Sequence, residues 1–353
     1  MTDKNGFEET GPGNKSPPCI DFLEKYNKLK SALDKRIVGQ CEAKKSFLIG
    51  IAKHLLRIRH PELRLKKSNL LLVGPSGCGK TEMVKAASSE LGIPFVIEDA
   101  SKFTSTGYRG RDATDILADL IVKAELDTKW AECGIVYIDE IDKLCIFQPG
   151  TAGHDYKVSD QTTFLTLLEE EELTVYIKGK GEFPIDTKDI LFIAGGAFSV
   201  NKKTDRTAVG FFCTEEAEQI SERNISHSDL IEYGMIQEMA GRFSTIIQFQ
   251  PLSVEDLYRI ATLRDGILSE YMRIISLLGC ELNITEETVL NLCKEAYNEE
   301  IGARGLKTVF DRYFEKKLYS VLEKTGTELQ KEENYEVKPN AEKSEKRFQT
   351  TEV

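Results

Sequence analysis

The sequence predicts an α/β protein in which a parallel five-stranded sheet, flanked by helices, precedes a smaller and mainly α-helical domain. Apolar runs of strand length alternate with helical patterns as far as residue 250, as expected for strands buried on both faces of a parallel sheet. After Pro251 the strand signal fades and helical periodicity takes over. A chain of 353 residues has room for two such domains.

Five short apolar runs are the predicted strands. In chain order they are Asn69–Val73, Phe95–Glu98, Ile135–Ile138, Ile190–Ala194 and Ile246–Phe249. Apolar residues at helical spacing predict the helices of the first domain, which are 21–35, Glu42–Ile58, Thr81–Leu91 and Ala113–Ala131. The same spacing predicts those of the second domain, which are Val254–Leu278, Glu286–Ala296 and Leu306–Leu322.

Composition divides the chain into four segments. Residues 1–33 are expected to be a flexible N-terminal segment, because residues 1–18 carry almost no apolar side chains. Residues 34–250 form the predicted large α/β domain, and residues 251–324 form the small helical domain. Residues 325–353 are charged and lack periodicity, so we expect a flexible tail.

Charge and cysteine content argue against several classes of protein. The net charge of −11 opposes binding to nucleic acid, because the summed field repels phosphates. The eight cysteines contain no C-x-x-C pair, which argues against a zinc site or a disulfide framework. The apolar runs are far shorter than the roughly 20 residues that span a bilayer. Because the N-terminus also lacks the features of a signal peptide, we expect a cytoplasmic protein with no membrane contact.

A glycine-rich segment between the first strand and the next helix has the sequence GPSGCGKT, which matches G-x-x-x-x-G-K-[ST]. In such a loop the backbone N–H groups surround the β-phosphate, Lys80 reaches the β- and γ-phosphates, and Thr81 binds Mg²⁺. The sequence therefore predicts a site for ATP and Mg²⁺. Its predicted residues are Gly74, Pro75, Ser76, Gly77, Cys78, Gly79, Lys80, Thr81 and Glu82.

Two carboxylates follow the apolar strand Ile135–Ile138. A parallel strand delivers Asp139 to the carboxyl edge of the sheet, beside the phosphate loop, where it can hold Mg²⁺. Glu140 is then placed to polarise a water in line with the γ-phosphate. Together with Lys80, these residues predict a P-loop ATPase.

The order of further segments resembles the ClpX-like AAA+ ATPases of the Clp/HslU clade over roughly residues 34–322. These segments are Ile37–Gln40, Asp139–Lys143, Ile190–Phe198, Gly241–Phe243 and Gly302–Leu306. The interval from Gly110 to Gly134 is too short for the long intermediate domain of HslU, which favours the ClpX branch. Because the sequence has no C-x-x-C pair, we expect no counterpart of the zinc-binding domain that serves adaptor binding in ClpX.

The resemblance implies roles for residues outside the two phosphate-site motifs. Ile37 and Val38 would contact the adenine. Arg242 would be the arginine finger that reaches the γ-phosphate of a neighbouring subunit, and Arg304 would be the sensor-2 arginine from the small domain. A cation supplied in trans stabilises the charge of the transition state, so hydrolysis would require a ring.

Tyr108, Arg109 and Gly110 match the pore loop of the family. An aromatic side chain on a glycine-flanked loop can grip an extended polypeptide, and nucleotide-driven motion would pull it. Arg109 stands where the family has an aliphatic residue, which predicts a preference for acidic substrate segments. The segment Leu173–Asp189 lacks the basic loop found at the pore entrance of ClpX.

Val209, Gly210 and Phe211 lie where ClpX carries the tripeptide that docks into a ClpP-type peptidase. They occupy a long connection between Phe198 and Ser228, and connections of that length are usually functional or disordered. An apolar tip on a polar loop suits a partner's pocket. It could equally pack against its own domain.

The leading prediction is an ATP-driven unfoldase or remodeller that forms a homo-hexameric ring and threads protein substrates through a pore, alone or into a ClpP-type peptidase. One alternative is a stand-alone remodeller, or an assembly switch that barely hydrolyses ATP. Glu140 and Arg242 argue against the switch. The other alternative is a nucleic-acid motor, which the acidic composition disfavours.

Overall fold

The computed structural model describes residues 22–102, 114–145, 153–198, 224–277, 280–325 and 337–339. The strands of the first domain are β1 Asn69–Val73, β2 Phe95–Asp99, β3 Ile135–Asp139, β4 Glu172–Ile177, β5 Gly181–Asp186, β6 Leu191–Gly196 and β7 Phe243–Gln248. Its helices are α1 Phe22–Arg36, α2 Cys41–Arg59, α3 Lys80–Leu91, α4 Asp115–Lys123, α5 Thr128–Glu132, α6 Gly153–Leu168, α7 His227–Tyr233 and α8 Gln237–Arg242. Short 3₁₀ helices lie at Pro61–Leu63, Ala100–Lys102 and Ile141–Leu144.

Five strands form one parallel sheet in the order β2-β3-β6-β1-β7, which confirms the predicted fold class. All five predicted strands are present, and β7 begins at Phe243, three residues before the predicted Ile246. Strand β1 lies between β6 and β7, and β6 separates it from β3. The carboxyl ends of β1 and β3 therefore reach the same edge of the sheet, as the sequence predicted for the phosphate site.

Alternate side chains of each strand point to opposite faces of the sheet, so each face has its own core. Leu71 and Val73 of β1 belong to the cluster that includes buried residues of α4 and α6. Leu70 and Leu72 belong to the cluster on the other face, with buried residues of α1, α2 and α3. Burial on both faces explains why the strands are apolar runs rather than alternating patterns.

The second domain contains α9 Val254–Ala261, α10 Ile267–Leu277, α11 Glu286–Asn298 and α12 Ala303–Thr325. They enclose a third apolar cluster, in which the rings of Tyr271 and Phe314 stack with centroids 4.2 Å apart. Helix α9 starts with a capping box, because the side chains of Ser253 and Asp256 each accept a hydrogen bond from the other's backbone N–H.

Two predicted helices were wrong as single elements. The helix predicted over Ala113–Ala131 is interrupted after α4, because Glu125 and Leu126 have φ values of 57° and 69°. Two consecutive left-handed residues end an α-helix, and Asp127 then caps α5 by accepting a hydrogen bond from the Trp130 N–H. The helix predicted over Val254–Leu278 is likewise split between α9 and α10.

The sequence prediction also missed elements. Helices α6, α7 and α8 and the hairpin β4–β5 were not predicted. Within the tail predicted over 325–353, a short strand β9 (Val337–Pro339) pairs antiparallel with β8 (Cys280–Leu282). The flexible N-terminal segment was predicted over residues 1–33. Residues 1–21 lie outside the described residues, whereas residues 22–33 belong to α1, in which Leu29 and Leu33 are buried. Among the described helices, none combines the length and the hydropathy needed to span a bilayer.

Candidate functional site

The glycine-rich loop lies between β1 and α3, at the carboxyl edge of the sheet. Gly79 is the N-cap of α3 with φ 104°, and Gly77 has φ 71°. Residues with a side chain rarely adopt these φ angles, so glycine at these positions lets the chain turn sharply into the helix. The loop therefore presents backbone N–H groups and a helix N-terminus to one small volume, which suits a phosphate group.

Lys80 is only 8% exposed, and its Nζ lies inside the loop. The ammonium donates hydrogen bonds to the carbonyl oxygens of Gly74 at 2.7 Å and Pro75 at 2.9 Å. These bonds hold the cation at the concave side of the loop, where phosphate oxygens can compete for it. Glu82, also predicted for this site, is exposed on the first turn of α3.

Thr81 and Asp139 meet directly, although 58 positions separate them. The Thr81 hydroxyl donates to Asp139 Oδ2 at 2.6 Å. The other carboxylate oxygen, Oδ1, accepts from the Tyr137 hydroxyl and from the Glu140 N–H, both at 3.0 Å. A hydroxyl beside an oriented carboxylate offers the hard oxygen ligands that Mg²⁺ prefers. The residues present therefore fit a magnesium ion.

Tyr137 orients the carboxylate of Asp139, a role that the sequence analysis missed. Its ring is fully buried, and burial raises the pKa of its hydroxyl, so the group stays a proton donor. The hydroxyl passes over Gly195 of β6, where an added Cβ would lie only 2.1 Å from it. The adjacent Gly196 makes room for the Phe198 ring, which would be 2.4 Å from an added Cβ, and for Asp142 Oδ1, which would be 3.0 Å from it. Glycines in β6 thus accommodate polar groups of the acidic segment.

Glu140 adopts a left-handed backbone with φ 58°, which is uncommon for a residue with a side chain. Its carboxylate pairs with Lys143, and that hydrogen bond raises the pKa of the Lys143 ammonium. The turn directs the chain from β3 into the 3₁₀ helix Ile141–Leu144. It places a partly exposed carboxylate directly after the one that faces Thr81.

The segment Ile37–Gln40 lies against the glycine-rich loop. Ile37 is buried, and one of its methyl groups would be 4.0 Å from a Cβ on Gly79. The Gln40 amide donates to the Gln250 carbonyl at 2.7 Å and to the Cys78 carbonyl at 3.3 Å. Its oxygen accepts from the Gln250 N–H at 3.0 Å. Gln40, which the sequence analysis did not single out, joins this segment to the loop; Val38 is half-buried.

The second domain contacts the loop directly. The Ala303 N–H donates to the Gly77 carbonyl at 3.0 Å, and Arg304 Nη1 donates to Ser76 Oγ at 3.3 Å. Gly302 allows this approach, because a Cβ there would lie 2.7 Å from the Ser76 carbonyl oxygen. A rotation of the second domain would therefore move the Arg304 guanidinium relative to the glycine-rich loop.

Arg242 lies at the other end of β1 from the loop. It immediately precedes Phe243, which pairs with Asn69 at the start of β1, whereas the loop follows Val73. Four residues of strand separate these ends by roughly 13 Å. The Arg242 guanidinium is 43% exposed and bonds Glu169 Oε1 at 2.9 Å. The structure does not bring Arg242 to the loop of its own chain.

Two groups of predicted site residues lie outside the described residues. They are the pore-loop residues Tyr108, Arg109 and Gly110, and the docking residues Val209, Gly210 and Phe211.

Comparison with known proteins matches both domains. Residues 65–246 match the AAA domain (Cdc48 subfamily), and residues 252–336 match the C-terminal, D2-small domain, of ClpB protein. The chain is 33% identical over 333 residues to ATP-dependent Clp protease ATP-binding subunit ClpX 2 of Wolinella succinogenes, which covers 91% of this chain and 83% of that protein. It is 34% identical over 321 residues to the ClpX subunit of Azotobacter vinelandii, covering 83% of this chain and 73% of that protein. It is 31% identical over 352 residues to the ClpX subunit of Treponema denticola, covering 87% of this chain and 84% of that protein.

Proposed function

The chain belongs to the ClpX family of AAA+ ATPases, and from this premise we propose that it is a protein unfoldase that works as a homo-hexameric ring. In this proposal, residues 34–250 are the large ATPase domain, residues 251–324 are its lid, and polypeptide is threaded through a central pore. The observation that carries the proposal is the division of the catalytic groups. The phosphate loop and both carboxylates lie at one edge of the sheet, whereas the arginine lies at the other end of β1.

The contacts of these residues support ATP hydrolysis in this site. Lys80 exchanges its two carbonyl partners for oxygens of the β- and γ-phosphates, while the loop's N–H groups bind the β-phosphate. Thr81 and Asp139 would hold Mg²⁺, and the bound ion would supply positive charge beside the phosphates. Glu140 leaves Lys143, orients a water and accepts its proton. Ile37 and Val38 line the adenine side, and Arg304 responds to the nucleotide through the loop.

Arg242 completes the site of the next subunit. Its exposed guanidinium is paired with Glu169 within its own chain, so it must exchange that carboxylate for the γ-phosphate of a neighbour. A cation delivered in this way is worth about 10³–10⁵ in rate. This requirement makes hydrolysis depend on ring assembly.

Tyr108 grips the substrate, and Arg109 gives the pore a preference for acidic segments. Val209, Gly210 and Phe211 form the contact with a ClpP-type peptidase, for which the relatives' name as Clp protease subunits is the support.

The test is ATP-dependent unfolding of a tagged fluorescent protein by the purified chain. We expect the wild type to abolish the fluorescence and Tyr108→Ala to hydrolyse ATP without unfolding the fluorescent protein. We expect Glu140→Gln to form rings that hold ATP but neither hydrolyse it nor unfold the fluorescent protein. Turnover that DNA stimulates, and unfolded protein does not, would overturn the unfoldase in favour of a nucleic-acid motor. Turnover by a chain that stays monomeric would overturn the ring.

A further inference from the structure

Gln161 on α6 is a buried polar residue, 2% exposed, whose side chain is fully hydrogen-bonded to backbone groups. Its Nε2 donates to the carbonyl oxygens of Leu144 at 3.1 Å and Gly234 at 3.0 Å. Its Oε1 accepts from the Ile236 N–H at 2.8 Å. Both donor hydrogens and the acceptor are thus used, and no water is needed to satisfy the amide.

The partners of Gln161 belong to two functional segments. Leu144 ends the 3₁₀ helix that begins directly after Glu140. Gly234 and Ile236 form the link between α7 and α8, and α8 ends at Arg242. One side chain therefore joins the segment of the catalytic carboxylate to the helix of the arginine finger.

Helix α8 is short and has no side-chain hydrogen bond at its N-cap. Ile236 is its N-cap residue and offers no side-chain hydrogen bond, so the Ile236 N–H, just ahead of the helix, relies on Gln161. Six residues rise only about 9 Å, so the start of α8 lies close enough to Arg242 for a loss of its anchor to reorient the arginine. At the other end, the buried Asn69 amide donates to the Arg242 carbonyl at 3.2 Å. The finger is thus fixed at both ends of its helix.

We propose that Gln161 is a positioning residue for catalysis in the neighbouring subunit. It ties the arginine-finger helix to the Glu140 segment of its own subunit, so that the state of one site sets where Arg242 stands in the next. This inference rests on the proposed action of Arg242 in trans. A merely structural Gln161 would stabilise its own subunit and leave the neighbour's turnover unaffected.

The experiment uses mixed rings in which each doped subunit carries Glu140→Gln, so that only wild-type subunits hydrolyse ATP. Three doped chains are compared: Glu140→Gln alone, with Gln161→Leu added, and with Arg242→Ala added. At a five-fold excess of doped subunits, about five in six wild-type sites receive a doped finger, so Arg242→Ala lowers kcat per wild-type subunit about six-fold relative to Glu140→Gln alone. We expect Gln161→Leu to lower it at least two-fold, since a misplacement of about 1 Å can remove two orders of magnitude.

Controls separate positioning from folding. Gln161→Asn keeps the amide but is one methylene too short to bridge both segments. If Gln161→Leu does not enter rings, the turnover of wild-type subunits beside Gln161→Asn subunits tests the positioning role instead. Leu167→Ala, on the same helix, removes buried apolar volume without removing a hydrogen-bonding group. Thermal unfolding and ring mass are measured for every chain.

The outcomes are distinct. If the Arg242→Ala dopant behaves like Glu140→Gln alone, the action of Arg242 in trans is wrong. If Arg242→Ala suppresses the neighbour while the Gln161 variants match the Leu167→Ala dopant, the positioning role of Gln161 is wrong and the proposed function stands.

Discussion

Acid should destabilise the large domain through His54, a buried histidine of α2 that is 5% exposed. Its Nε2 lies 3.2 Å from the Cys133 carbonyl oxygen, which cannot compensate for loss of water around a charged ring. Burial, and next the charge of Arg57, lower the pKa of His54 from 6.5 to about 3. The folded state therefore keeps this histidine neutral where the unfolded chain protonates it.

The free energy of unfolding changes with pH because the folded and unfolded chains bind different numbers of protons. Because the folded-state pKa is the lower one, the unfolded chain binds more protons below pH 6.5, so the free energy of unfolding falls as pH decreases from 6.5 towards 3. At pH 5 only the unfolded chain is substantially protonated, and the expected loss relative to pH 7.5 is about 2 kcal/mol. The full loss, about 4–5 kcal/mol, would be reached near pH 3.

The assay is urea unfolding followed by the fluorescence of Trp130, the only tryptophan, which packs against the apolar clusters on both faces of the sheet. His54→Gln removes the titrating group and keeps a donor for the Cys133 carbonyl. Between pH 7.5 and 5, we expect wild type to lose about 2 kcal/mol more than the variant. His60→Gln, at the C-terminal end of α2, removes a partly exposed histidine whose surface pair with Glu62 contributes little, so this variant should follow wild type. Equal losses for wild type and His54→Gln would show that burial of His54 is not the cause of the acid sensitivity.

Three further outcomes are expected. Thr81→Val removes the hydroxyl that bonds Asp139, so the Mg²⁺ concentration for half-maximal turnover should rise about ten-fold, a change of about 1.4 kcal/mol, in a magnesium titration of ATPase activity. Arg304→Ala breaks the contact with Ser76 and should weaken binding of a fluorescent ATP analogue several-fold without unfolding either domain. Lys67→Met should flatten the pH dependence of stability, because burial lowers the pKa of Lys67 to about 7. The folded chain then binds fewer protons than the unfolded one above pH 7, so wild-type stability should rise by about 2 kcal/mol more than the variant's between pH 7 and 9 in urea titrations.

Much of the fold could be predicted, because its signals are local. The five parallel strands are apolar runs, and an apolar run of strand length is the pattern expected of a strand buried on both faces. The failures have local causes that a periodicity cannot register. Glu125 and Leu126 are ordinary helix formers, so nothing in their residue types predicts the left-handed backbone that they adopt between α4 and α5. The hairpin β4–β5 was missed because its outer face carries polar and charged residues that read as a loop.

The candidate site divides in the same way. The phosphate loop and the acidic strand end were predictable from the chain alone, because phosphate binding needs consecutive N–H groups, a lysine and a helix start within eight residues. The hydrogen bond between Gln40 and Gln250, 210 positions apart, and that between Arg304 and Ser76, 228 positions apart, became known from the folded chain. The folded chain also shows that Arg242 stands at the far end of β1 and that Gln161 joins its helix to Leu144. The reason is physical: these contacts depend on where packed elements bring distant atoms within about 3 Å, and a hydrogen bond across such distances leaves no periodic mark in the chain.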